Sequence, residues 1–202
     1  MGGTFDPVHH GHLRIALGAA EALALERVCM IPLHQPSHRS AAVASSADRA
    51  RMVEMAVIKP LVCDDREIRR GGVSRTVETL EDCRREWPEN PLCLLLGMDA
   101  FNSLDSWHRA EELTDLAHLV VAARPGSSAL PPSDLPRCVQ GHVTKDIDTL
   151  KQNRAGNVLF LELPELSISS SDIRKRCRNG LEIAYLVPAS VREFIVEHGL
   201  YE

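Results

Sequence analysis

Apolar residues along the chain fall into short runs separated by stretches with helical spacing. Five runs read as strands: 28–33, 61–63, 92–97, 119–123 and 158–163. The second, fourth and fifth are nearly continuous in apolar character, as strands covered on both faces would be. Helical stretches lie between them. Residues 13–25 are rich in Ala, Leu and Glu, and 47–59 follow Ser45 and Ser46, which can cap a helix. Residues 76–87 run up to Pro88, a stop signal, and 169–178 end at Asn179-Gly180, a plausible C-cap. A last helix, 191–198, ends at Gly199. Strands alternating with helices predict an α/β fold with an open, mostly parallel sheet. The segment 125–136, with four prolines among small residues, predicts a mobile loop between two strands. Residues 137–157 are polar and carry no clear period. Too few residues follow to bury a second core. A single domain over 1–202 is expected, helical from about 169 onward.

Composition narrows the class. The 202 residues are 44% hydrophobic and 25% charged, close to the globular average, and such a length can bury a core without staples. The net charge of −5 speaks against a general nucleic-acid binder. No apolar run approaches the ~20 residues of a membrane span. The six cysteines, at 29, 63, 83, 93, 138 and 177, are never within four residues of each other, which excludes a zinc ribbon or a Cys-x-x-Cys redox motif. Cys29 and Cys93 sit in apolar runs and read as buried thiols in a reducing compartment. With no leader expected ahead of a motif that opens at Gly2, a cytoplasmic location is expected.

That motif is Gly2-Gly3-Thr4-Phe5-Asp6-Pro7-Val8-His9-His10-Gly11-His12. Two glycines open a turn, Pro7 fixes φ, and a helical pattern starts near Gly11. A helix start carries unpaired N–H donors and partial positive charge, so it attracts phosphate. Gly11 has no side chain, which would let a phosphate approach the backbone. His9 and His12, three apart, can face the same turn. A metal pair or a polar cap would use the same two residues, although no clear third metal ligand lies nearby. A second helix start, Ile168-Ser169-Ser170-Ser171-Asp172-Ile173-Arg174, gathers three hydroxyls and an Arg. In isolation it reads equally as a capping box with an exposed Arg.

Taken together, the two motifs resemble the nucleotidyltransferase superfamily, with its HxGH and ISSTxIR signatures. Within it the chain is similar to the bacterial nicotinate-nucleotide adenylyltransferases. The likeness runs from Gly2 to Tyr201. It takes in Pro36-Ser37-His38-Arg39, Gly97-Met98-Asp99, Ser106-Trp107-His108, Ala123-Arg124-Pro125-Gly126 and Val187-Pro188.

The resemblance implies a Rossmann-like α/β/α sandwich with ATP at the carboxyl ends of the strands. It also implies transfer of AMP from ATP to nicotinate mononucleotide, giving deamido-NAD and pyrophosphate. By the same resemblance His9, His12 and Arg174 are catalytic, stabilising charge on the ATP phosphates. Gly3, Thr4 and Phe5 face the nucleotide, Ile168, Ser169 and Ser170 join Arg174 at the β/γ end, and Gly97 and Asp99 take strand-end positions near the sugar. Trp107 is expected to stack on the pyridine ring. Backbone N–H groups near Thr76 and His108 meet its carboxylate, and His38 and Arg124 meet the acceptor phosphate. Magnesium accompanies ATP, held by phosphates and water, so no protein metal ligand is expected. The expected partners are these two substrates, without nucleic acid or membrane, in a monomer or small homo-oligomer.

Two departures from the family pattern stand out. Arg75 occupies a position where the family usually has Tyr, which alters the acceptor pocket. Only Met1 precedes the Gly-Gly turn, so the first strand is expected to be cut to a stub, with the true start upstream. The rivals are an adenylyltransferase for nicotinamide mononucleotide or phosphopantetheine, and a non-catalytic nucleotide-binding relative. A cytidylyltransferase would need a cytosine pocket, for which no matching residues are evident.

Overall fold

A computed structural model describes residues 1–36, 42–123 and 135–202. In chain order the elements are β1 (Gly2–Gly3), α1 (His10–Leu23), β2 (Val28–Pro32), α2 (Ser46–Ala56), β3 (Leu61–Cys63), α3 (Arg66–Arg70), α4 (Thr76–Glu86), β4 (Cys93–Gly97), α5 (Met98–Asn102), α6 (Leu113–Leu116), β5 (His118–Ala123), β6 (Val143–Thr144), α7 (Asp148–Gln152), β7 (Val158–Glu162), α8 (Ser170–Arg178) and α9 (Ala189–Glu197). They form two compact units, Met1–Ser74 with Pro164–Glu202, and Arg75–Leu163.

The first unit holds three parallel strands in the order β1-β2-β3. Gly2 lies opposite Ile31, and Val28 opposite Leu61. The first strand is the short element expected, and the Met1 carbonyl accepts from Ile31 N just ahead of it. Strand β2 buries Met30 completely. Helix α1 buries Ala16, Ala19, Ala20 and Leu23, the i, i+3, i+4, i+7 stripe that lays a helix on a core. It ends at Ala24 in the left-handed conformation (φ 51°), with Leu25 N returning to Ala20 O. Ser45 caps α2 by accepting from Asp48 N. Phe5, Val8, Met52, Val53, Ile173, Val191 and Ile195 close one core.

The second unit holds four parallel strands in the order β4-β5-β7-β6. Cys93 lies opposite His118, and Leu119 opposite Val158. Leu94, Leu95 and Leu96 are all buried, so the apolar run of β4 is a strand covered on both faces. Val77, Leu80, Phe101, Leu104, Leu113 and Val121 complete this core. His118 is fully buried at the start of β5. Its Nδ1 accepts from Asn157 N, which leaves Nε2–H to donate to Asn153 O at 2.9 Å.

The mostly parallel α/β fold is thus as expected, and all described strand pairings are parallel. Among the described residues the strands sort into two hydrogen-bonded sets. Strand β6 falls in the stretch where no period was legible. Most of the expected proline-rich loop lies outside the described residues. Among the described residues no helix is long and apolar enough to cross a membrane.

The largest fully buried side chain among the described residues is charged. Arg49, on α2, is 1% exposed. It donates to three carbonyls: Thr4 (2.7 Å), His34 (3.0 Å) and Ala44 (3.3 Å). Replacing it leaves those acceptors without their partner, and such losses cost several kcal/mol. Arg49→Met should therefore destabilise the fold by about 3 kcal/mol, read as a lower urea midpoint at unchanged m-value.

Candidate functional site

The segment between β1 and α1 folds back on itself. Phe5 has φ 49° and its ring is buried over Gly3. A Cβ on Gly3 would lie 2.8 Å from that ring, so only glycine fits there. His9 is the N-cap of α1, and its Nδ1 accepts from His12 N at 3.4 Å. Gly11 also serves by having no side chain. A Cβ there would meet the His9 ring at 2.9 Å. The space a side chain would take at Gly11 is filled by the His9 imidazole.

The two motif histidines are stacked, with ring centroids 3.7 Å apart and planes at 24°. Phe5 meets the edge of His12 at 5.0 Å. His12 Nδ1 is buried and has no hydrogen-bond partner among the described residues. Burial, with the neighbouring His10 charge, lowers His9 to about pKa 4. Burial, with the His9 charge, lowers His12 to about 3. Both rings are neutral at pH 7 in the free protein.

The second helix start lies against the first. The Ile168 carbonyl is 3.5 Å from where a Gly11 Cβ would stand. Ser169 caps α8 by accepting from Asp172 N, and its Oγ is 3.1 Å from Ser171 Oγ. Ser170 Oγ donates to Pro7 O (2.9 Å) and Arg174 Nη1 donates to Asp6 O (2.6 Å). Gly3, Thr4, Phe5, His9, His12, Ile168, Ser169, Ser170 and Arg174 all belong to this one cluster of the first unit. The Thr4 carbonyl is already taken by Arg49.

Thr76, Gly97, Asp99, Trp107 and His108 lie in the second unit. Gly97 ends β4 and precedes α5, whose first turn carries an exposed Asp99. Thr76 opens α4, and the preceding Arg75 gives no side-chain cap. Arg75 instead pairs with Glu78 at 3.1 Å. Trp107 is half-buried against the second core and donates Nε1–H to Ser103 Oγ at 3.2 Å. His108 is exposed. Beside them Arg109, at φ 53°, bridges Glu81 and Glu112 and fixes the turn. His38 and Arg124 lie outside the described residues.

A cytidylyltransferase-like family model matches residues 1–176. A relative from Methylococcus capsulatus, named "Probable nicotinate-nucleotide adenylyltransferase", is 43% identical over 203 residues, 99% of this chain and 97% of its own length. One of the same name from Aeromonas salmonicida is 40% identical over 204 residues, 100% of this chain and 95% of its own length. The chain belongs to the nicotinate-nucleotide adenylyltransferase family. A solved structure of Plasmodium falciparum nicotinic acid mononucleotide adenylyltransferase, complexed with NaAD, superimposes with a TM-score of 0.72 at 17% identity, over 99% of this chain and 94% of that one. The shared fold is a Rossmann-like nucleotidyltransferase fold.

Sequence reasoning missed three residues of this family member's cluster: Asp6, Arg49 and Tyr201. Asp6 stood inside the first motif as a loop residue. Arg49 and Tyr201 sat in ordinary helix and helix-end contexts, and nothing local marked them as buried polar groups.

The histidine depression has a direct readout. Followed by NMR in the free protein, His9 and His12 should titrate far below the ordinary 6.5, and triphosphate should raise both midpoints. Midpoints near 6.5 without ligand would contradict the buried stack. The unfolded chain takes up protons that the folded rings refuse. Stability should therefore fall as pH drops from about 6.5 towards the folded values near 4 and 3.

Proposed function

We propose that the chain transfers the adenylyl group of ATP to nicotinate mononucleotide, forming deamido-NAD and pyrophosphate. The observation that carries this reading is the meeting of two helix starts, α1 and α8, with His9, His12, Ser169, Ser170 and Arg174 in one cluster. Such starts offer N–H donors, hydroxyls and a guanidinium, the groups that bind a polyphosphate. The names of the chain's relatives from Methylococcus capsulatus and Aeromonas salmonicida support the acceptor.

The chemistry asks little more than this. The attacking group is itself a phosphate, mostly dianionic at neutral pH because its second pKa is about 6. No general base is required. Catalysis is alignment of two anions and stabilisation of charge growing on the departing pyrophosphate. In this reading Gly3, Thr4 and Phe5 line the nucleotide, His9 and His12 supply N–H groups to the phosphates, and Ile168, Ser169, Ser170 and Arg174 hold the β/γ end. Gly97 and Asp99 are assigned to ATP as well. His38, Thr76, Trp107, His108 and Arg124 are assigned to the acceptor, with Trp107 stacking on its ring.

Magnesium fits as a passenger on ATP, where it neutralises phosphate charge. The donors of the cluster are nitrogens and hydroxyls suited to phosphate oxygens, and its one buried carboxylate, Asp6, already accepts from Val43 N, Ala44 N and Tyr201 Oη. A cytoplasmic enzyme, monomeric or a small homo-oligomer, is in keeping with six free thiols, and a net charge of −5 speaks against nucleic acid as a partner. Likeness over nearly the whole chain supports treating residues 1–202 as one nucleotidyltransferase domain.

Pyrophosphate release from ATP, magnesium and nicotinate mononucleotide tests the reading, with the nicotinamide and phosphopantetheine acceptors run alongside. The acid acceptor should turn over fastest. ATP binding without any release would mean a nucleotide binder instead. His12→Ala should lower turnover by about 10²-fold or more, the scale of losing one charge-stabilising donor.

A further inference from the structure

We propose that Asp6 and Tyr201 are positioning residues for Arg174, so that adenylyl transfer depends on a phenol hydroxyl that touches neither substrate. The inference rests on the transfer reading above and adds two residues to it.

Asp6 is 4% exposed. Its Oδ1 accepts from Tyr201 Oη (2.8 Å) and Ala44 N (3.1 Å), and its Oδ2 accepts from Val43 N (2.8 Å). Three donors from two distant parts of the chain therefore fix the carboxylate plane. Asp6 in turn holds Arg174 twice. Its carbonyl accepts from Nη1 at 2.6 Å, and its Oδ2 lies 3.8 Å from the same nitrogen. Nε and Nη2 of Arg174 make no hydrogen bond to the described residues, and the side chain keeps 24% of its exposure. One edge of the guanidinium is thus anchored while the remaining donors stay available for an anion.

The backbone at both ends of this contact supports the assignment. Phe5, next to Asp6, has φ 49°, and Tyr201 has φ 70°. Non-glycine residues in the left-handed region are uncommon and persist where the surroundings over-determine them. Tyr201 is 5% exposed, and burial together with the Asp6 carboxylate pushes its phenol up, keeping it a donor. Without the hydroxyl, Oδ1 keeps only the longer bond from Ala44 N, and the carboxylate is held less firmly in the plane that faces Arg174.

The rival is a purely structural Tyr201, a ring that fills the core. Tyr201→Phe separates the two, because it keeps the ring and removes the oxygen. Pyrophosphate release is measured for the wild type, Tyr201→Phe, Arg174→Ala and the double variant, with melting temperatures alongside. The expected result is a kcat about tenfold lower in Tyr201→Phe, inside the roughly 10²-fold cost of misplacing a catalytic group, with the KM for nicotinate mononucleotide unchanged. In the Arg174→Ala background the same change should have no further effect, because both act through one guanidinium. Wild-type kcat in Tyr201→Phe, or a loss that multiplies with Arg174→Ala, overturns the proposal and leaves the transfer reading intact. A wild type that releases no pyrophosphate overturns the transfer reading, and the positioning role falls with it.

Discussion

Residues 5–9, between β1 and α1, are buried, and the carbonyls of Thr4, Asp6 and Pro7 receive no backbone donor from a neighbouring strand or helix among the described residues. Side chains from far along the chain supply the donors. Arg49 takes Thr4 O, Arg174 takes Asp6 O, and Ser170 takes Pro7 O. A buried polar group left without a partner costs about 1–3 kcal/mol, so three of them approach the whole stability of an ordinary domain. The loop keeps its shape only while α2 and α8 are docked, and the histidines at its end keep theirs only while the loop does.

This constraint explains why the same residues serve both structure and the proposed chemistry. Arg174 spends one donor on the loop, which fixes where its remaining N–H groups point, and Ser170 spends its single O–H there, which pins the start of α8 to the loop. A reaction that relies on alignment and positive potential gains from donors locked before substrate arrives. Gly3 and Gly11 are the steric counterpart. Each leaves room for an aromatic ring, Phe5 or His9, to lie against the main chain where a methyl group would clash. The motif is therefore a packing solution as much as a set of ligands.

Much of this was legible in the sequence, for identifiable reasons. Strands β2, β3, β4, β5 and β7 are short apolar runs, and α1, α2, α4, α8 and α9 carry helical spacing or caps over nine or more residues. The elements without a signal are too short to show a period: β1 and β6 have two residues each, and α3, α5, α6 and α7 have four or five. His9, His12, Ser170 and Arg174 were legible because each stands at a helix start within a local pattern. Asp6, Arg49 and Tyr201 were not, because what defines them is non-local. Tyr201 meets Asp6 across 195 positions and Arg49 meets Thr4 across 45, and no window along the chain contains either pair.

The stacked histidines also decide which form of imidazole can act. Two rings with centroids 3.7 Å apart could not both be charged in a buried site, because like charges at that distance repel strongly where water is scarce. The free protein avoids this by holding both neutral. A neutral imidazole still has one N–H to offer. At His9 the Nδ1 accepts from His12 N, so the proton sits on Nε2 and can be directed at an anion. At His12 the buried Nδ1 finds no partner among the described residues to offset its desolvation. In the proposed transfer, an incoming polyphosphate would supply the negative charge that lets a ring take up a proton. On that proposal the fixed positive charge in the cluster comes from Arg174, whereas the histidines would contribute dipoles at first and charge only with the ligand in place. That ordering would suit the proposed reaction, in which the site admits one polyanion and releases another.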